Sequence, residues 1–349
     1  MLYTKNNIIY VNFNYNKEYL MLGLINGYEI HRIEPFKLIM KKNIKKSIGI
    51  IDILGNTNIL VFTGGNDNKF CDKNTFILYD DNLNKEIGRI VCESNILNIK
   101  ITDKYILIIL IDKLLFYDLN LNLVNIINTG INNHGLISIN YNKNILKYSS
   151  IGIEKGNIIV GTDNLFSSRC IYAHDNYISY LSYNKDGNLL ATSSIKGTII
   201  RIFNVNNNYK KIKELRRGSY ITRILNMNFN ENSNILICST INGTIHLFNT
   251  GLNNELNHLE NKKIKYFSNL LENIPNNYFT KYIKSEWGFT KYHNENIIFI
   301  LVLLKKNNIY TIGNDGKFYK LLINENGKIE IIDIKFLTDN YITPFNLKK

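Results

Sequence analysis

Proline is scarce in this chain, three among 349 residues, and cysteine is hardly commoner, with four. Cys71, Cys92, Cys170 and Cys238 stand far apart in apolar, strand-like contexts, with no CxxC and no His-paired spacing. That pattern excludes a thiolate metal centre and a disulfide framework, and it implies a reducing compartment in which Cys serves as a small hydrophobe. No metal and no cofactor is expected. Long apolar runs are missing as well: "NIIFILVLLKK", residues 296–306, falls short of the roughly 20 residues a membrane-spanning helix needs. The opening "MLYTKNNIIYVNFN" has no basic region followed by an unbroken apolar core, so no secretory signal is read there. Catalytic signatures are absent too. There is no Gly-rich phosphate loop, no HExxH, no GxSxG and no close acidic pair, so no enzyme is expected.

What the chain does have is a hydrophobic fraction of 45%, a charged fraction of 20% and a formal charge of +13. The first two are those of a folded protein. The third favours an anionic partner: nucleic acid, an acidic protein, or the cytoplasmic face of a membrane. The aromatics lie mostly within strand-like runs and offer no stacking platform, so nucleic acid is not expected. Asn, Ile, Lys and Tyr are heavily used, a bias that reads as AT-rich coding with little functional meaning.

Short β-branched and aromatic runs, each bounded by Asn, Asp or Gly, recur along the whole length, and helical periodicity is almost absent. Opening strands fall at Ile8, Ile48, Ile96, Gly135, Ile178, Ile224 and Ile297, a period of about 40 to 48 residues until the longer last interval. Seven units of four strands make an all-β, seven-bladed β-propeller with WD40-like blades, spanning residues 1–349 as one domain. Such units come in sets because each small twisted sheet leaves two faces that only its neighbours can cover. Both the first and the last unit own four strand-like runs, so the ring is expected to close without a strand borrowed across the seam.

The long interval holds an insertion, residues 251–285, between the third and fourth strands of the sixth blade. Phe267, Leu270, Leu271 and Ile274 fall at helical spacing there, followed by Tyr278 and Phe279, with lysines on both sides. An amphipathic basic segment of this kind suits a membrane interface, or else packs on the propeller's own side.

One doublet stands apart. In "KKIKELRRGSYITRI" two arginines, Arg216 and Arg217, end a strand and are followed at once by Gly218. Alternation sends the two side chains to opposite faces of the blade, so one pair can serve two inter-blade pockets. Guanidinium suits bidentate phosphate binding, and Gly218 would permit a sharp turn or a close backbone approach. A bare doublet on an edge strand more often serves as a solvated, aggregation-resistant edge.

The stretch from "AHDNYISYLSYNKDG" to "STINGTIHLF" resembles the core of the PROPPIN family, the WIPI proteins of animals, whose signature at this position is Phe-Arg-Arg-Gly. The resemblance extends to "VNFN" and "GYEIHRIEPF" in the first unit and to "IYTIGNDGKFYKLLIN" in the last. It implies a phosphoinositide-binding propeller of autophagy with two rim sites, for phosphatidylinositol 3-phosphate and phosphatidylinositol 3,5-bisphosphate. By position the first site uses Arg216, His174, Ser194, Thr198 and Arg201, and the second uses Arg217, Ser239, Thr240, Thr244 and His246. It further implies recruitment of autophagy-related or vesicle-remodelling proteins. The chain is then cytoplasmic, drawn peripherally to autophagosomal precursor, endosomal or vacuolar membranes, or to plastid-associated vesicles in an apicomplexan-type member. In ordinary WD40 blades such histidines join a hydrogen-bond network completed by a turn Asp. Here the turns carry Lys196 and Asn242, which would free His174 and His246 for ligand. Leu215 stands where the family has Phe, and Asp175 where a basic residue is frequent. The rival reading is a propeller that is only a protein-interaction scaffold.

Overall fold

Hydrogen-bonded Asn turns explain how three of the seven units set their first hairpin. At the end of the inner strand of blades one, five and six stand Asn14, Asn184 and Asn230, and each side-chain oxygen accepts the backbone N–H five residues on, at 3.0, 2.9 and 3.0 Å. Three residues after each, Lys17, Gly187 and Ser233 take left-handed φ values of 58, 66 and 60°. The Asn side chain thus stands in for a backbone acceptor and fixes the hairpin register. The heavy use of Asn therefore has, at these positions, a structural reason beyond codon bias.

The computed structural model describes residues 8–65, 71–164, 168–251, 286–324 and 327–337. These form seven antiparallel sheets of consecutive strands. The expected opening strands are met at Ile8, Ile48, Ile178 and Ile224, and begin two residues later, at Asn98, Ile137 and Phe299, in the other blades. Seven apolar clusters join the blades in a ring, each drawing buried side chains from two neighbours. Between blades three and four, for example, Phe116 is wholly buried and meets Tyr105 and Tyr148 edge-on at 6.1 and 5.2 Å. Aromatic pairs in that geometry add to area burial.

Among the described residues the ring closes as expected, with no shared strand. Blade seven, residues 299–336, and blade one, residues 8–43, each contain four consecutive strands. They are held by side-chain packing among Leu20, Leu22, Leu301, Tyr310 and Phe318. The inner strands surround an axial channel of about 940 Å³, to which neither Arg216 nor Arg217 contributes.

Blades five and six carry one departure from four-strand regularity. After the third strand of blade six (Thr244–Asn249) the chain passes through residues 252–285 and returns as a two-residue strand, Glu286–Trp287. That strand pairs in parallel with the outer edge of blade five, Leu215 opposite Glu286 and Arg216 opposite Trp287. Only then does the chain supply blade six with its own outer strand, Thr290–His293, antiparallel to the third. The segment with Phe267, Leu270, Leu271, Ile274, Tyr278 and Phe279 lies outside the described residues.

Candidate functional site

The outer strand of blade five, Lys210–Arg216, divides two grooves. Its Leu215 pairs with Ile200, and both join the cluster shared with blade six, where Leu215 is wholly buried, as apolar packing at that position requires. Arg216 pairs with Ile199 and so points the other way, toward blade four. Arg216 is 6% exposed. Arg217 follows the strand end, its N–H bonded to the Thr198 carbonyl at 2.9 Å, and turns toward blade six, where its charge acts on Cys238 and His246. The doublet is thus split between two grooves.

On the blade-four side Arg201, His174 and Ser194 share the face of Arg216. Thr192 lies opposite Arg201 across the sheet, and Ser194 lies two residues further along. Arg201 Nη1 donates to the Ala173 carbonyl at 2.6 Å, and Nε donates to Glu214 Oε2 at 3.1 Å. His174 is 4% exposed and its Nε2 lies 2.8 Å from Thr192 Oγ1. Burial first, then the Arg201 charge, pushes its pKa down to about 4, so the ring is neutral near pH 7. The expectation that His174 is freed by the missing turn carboxylate is therefore corrected: Thr192 has taken over as its partner. Asp175 sits exposed at the groove mouth and accepts from the Tyr172 hydroxyl.

On the blade-six side Cys238 occupies the place of Thr192 and pairs with His246. The His246 ring stacks on Phe248 at 6.3 Å, and its backbone hydrogen-bonds to Cys238. Burial, then Arg217 and Lys291, pushes its pKa down to about 4 as well. Arg217 Nε donates to the Gly197 carbonyl at 2.9 Å and Nη2 donates to that of Tyr220. Burial lowers its pKa. Thr244 Oγ1 lies 2.9 Å from His293 Nδ1, and Thr240 Oγ1 donates to the Thr244 carbonyl at 3.2 Å.

Three sequence expectations change. Ser239 is wholly buried with an unpartnered hydroxyl, and alternation places it with Ile237 and Ile245 on the face packed against blade seven. It therefore does not join Arg217. Thr198 is not the counterpart of Thr244, because the turn in blade five is one residue longer: its third strand begins at Ile199, whereas that of blade six begins at Thr244. Gly218 has neither a left-handed φ nor any atom near where a Cβ would stand. The glycine the turn needs is Gly197, with φ +58° and a Cβ position 1.9 Å from the Thr222 carbonyl oxygen.

Glu214 and Lys291 line the two grooves and escaped the sequence reading. Glu214 was findable, since it stands two residues before Arg216 on an alternating strand. Lys291 was not, because its place depends on where the chain returns after residue 285.

Comparison with known proteins agrees with the propeller fold. The PROPPIN family model matches residues 9–263. SVP1-like protein 2 of Neurospora crassa is 28% identical over 249 residues, 69% of this chain and 56% of that protein. Autophagy-related protein 18 of Dictyostelium discoideum is 31% identical over 248 residues, 69% of this chain and 64% of that protein. The chain thus spans less than two thirds of the length of these relatives. Among solved structures, Kluyveromyces lactis Hsv2 superposes with a TM-score of 0.75 at 19% identity, covering 96% of this chain and all of that one. KlAtg21, solved in complex with the coiled-coil of AgAtg16, superposes at 0.72 and 20% identity, covering 95% of this chain and all of that one.

Proposed function

The chain belongs to the PROPPIN family, and from that premise we propose that it is a peripheral membrane adaptor for 3-phosphorylated inositides. One pocket is the groove of Arg216, Arg201, His174 and Ser194; the other is the groove of Arg217, His246, Thr244 and Thr240. The ligands are the headgroups of phosphatidylinositol 3-phosphate and phosphatidylinositol 3,5-bisphosphate. The observation that carries this reading is the split doublet: adjacent arginines enter separate grooves, each beside a neutral imidazole and hydroxyl groups. Guanidinium supplies charge and a fork of donors, and imidazole and hydroxyl complete the shell around a phosphate. Two modest pockets on one rim gain avidity, because the second headgroup binds intramolecularly on the same membrane.

Residues 251–285 add apolar burial in the bilayer boundary, and their lysines contribute about 1 kcal/mol each against an anionic leaflet. On autophagosomal precursor, endosomal or vacuolar membranes the adaptor then recruits autophagy-related proteins, as the KlAtg21 complex with an AgAtg16 coiled coil illustrates for a structural neighbour.

Liposome flotation tests the reading. The double variant Arg216→Thr, Arg217→Thr is expected to lose binding to vesicles bearing phosphatidylinositol 3-phosphate while keeping its thermal transition. Binding equal to that of the parent would reject the proposal in favour of a scaffold that binds proteins alone.

A further inference from the structure

The two grooves differ in what neutralises their arginines. In the first, Glu214 is opposite Arg201 across the sheet and two residues from Arg216 on the same face of its strand. Its Oε2 is 3.1 Å from Arg201 Nε and 3.4 Å from Lys211 Nζ. The Arg201 and Glu214 side chains are only 19% and 23% exposed, so solvent screens the pair weakly. Asp175 adds a second carboxylate at the mouth, close enough for its charge to act on His174. In the second groove no described carboxylate pairs with Arg217, whose guanidinium donates to the carbonyls of Gly197 and Tyr220. The charges that act on His246 there, Arg217 and Lys291, are both positive.

We propose that Glu214 is an internal counterion that competes with an incoming phosphate monoester for Arg201, so that the Arg217 groove takes the first phosphorylated headgroup and the Arg216 groove fills second. The inference rests on the two-pocket reading above. A phosphate entering the first groove must displace the carboxylate or lie beside it. Either route weakens binding there by roughly tenfold or more, because the opposing charge sits at contact distance in a partly buried site. The second groove presents positive charge and, among the described residues, no such competitor. Glu214 therefore acts as a positioning and specificity residue, ordering the occupancy of two sites that would otherwise be alike.

Calorimetric titration with inositol 1,3-bisphosphate, the soluble headgroup of phosphatidylinositol 3-phosphate, separates the sites. Arg217→Ala leaves the first groove and Arg216→Ala the second. Adding Glu214→Gln, which keeps an oxygen acceptor for Arg201, should tighten binding in the Arg217→Ala background about tenfold and leave it unchanged in the Arg216→Ala background. Without that addition, Arg216→Ala should bind more tightly than Arg217→Ala. Unchanged or weaker binding in the Glu214→Gln, Arg217→Ala protein would overturn the counterion role while leaving the two-pocket reading intact. No headgroup binding by the parent would overturn both. Inorganic phosphate is titrated in parallel, and affinity equal to that for the headgroup would reject an inositide site in favour of a generic anion site. Should Glu214→Gln lower the thermal transition, Lys211→Ala provides the check. Removing that lysine frees Glu214 for Arg201 and should weaken the first groove alone, and unchanged affinity there would overturn the role.

Discussion

Acid should loosen this propeller through His174, and the size of the effect follows from its surroundings. The ring is almost wholly enclosed and hydrogen-bonded to Thr192, and burial holds its pKa at about 4. In the unfolded chain a histidine titrates near 6.5. Below that value the unfolded state gains a proton that the folded state refuses, so the stabilisation is present above pH 6.5 and is lost as pH falls toward 4. Between pH 7 and pH 5 the loss is about 2 kcal/mol for this residue. Asp52 works against it. That carboxylate is wholly buried and its pKa is raised to about 6, chiefly by burial, so its contribution is complete below the unfolded value near 3.8 and is lost as pH rises through 6. A bare pH profile mixes the two with the contribution of His246, whose pKa burial likewise lowers to about 4. Comparing the parent with His174→Gln, which keeps a hydrogen-bonding group for Thr192, cancels the Asp52 and His246 parts. Urea denaturation at pH 7, 6 and 5 should show the variant losing about 2 kcal/mol less than the parent over that range. Parallel profiles for the two proteins would refute a neutral, buried His174 and the network drawn around it.

Three further outcomes are expected. Gly197→Ala should lower stability by about 1–2 kcal/mol, because of its left-handed φ and the Thr222 carbonyl in the path of a Cβ, whereas Gly218→Ala should stay within about 0.5 kcal/mol; chemical denaturation compares the pair. Phe116→Ala, which empties the seam between blades three and four, should cost about 3–5 kcal/mol by the same measurement. Deleting residues 255–280 should weaken vesicle flotation without moving the thermal transition, and unaltered flotation would remove that segment from the membrane contact.

The repeats were legible because hydrophobic alternation and Asn or Gly turns are local. Ile8, Ile178 and Ile224 open their strands where the pattern places them. The separation of Arg216 from Arg217 was legible for the same reason, since alternation is a property of neighbouring residues. What escaped depends on pairing across distance. The partnership of His174 with Thr192 needs the fold of the blade-four connection, and the burial of Ser239 needs the position of blade seven. The one-residue difference between the turns preceding Ile199 and Thr244 is hidden by near-identical sequence, "SIKGTI" against "TINGTI". A parallel pairing of Glu286 with Leu215, about seventy residues apart in the chain, leaves no periodic trace.

That pairing makes the ring mechanically unequal. Residues 286–293 bond first to the outer edge of blade five and then to that of blade six, so a continuous length of backbone is sewn across this seam. Where blade seven meets blade one, both sheets are complete in themselves, and among the described residues side chains alone interlock. A ring built this way has a clasp and a stitched hem: thermal opening should begin at the clasp, and the two grooves that flank the Arg doublet's strand should be among the last to come apart.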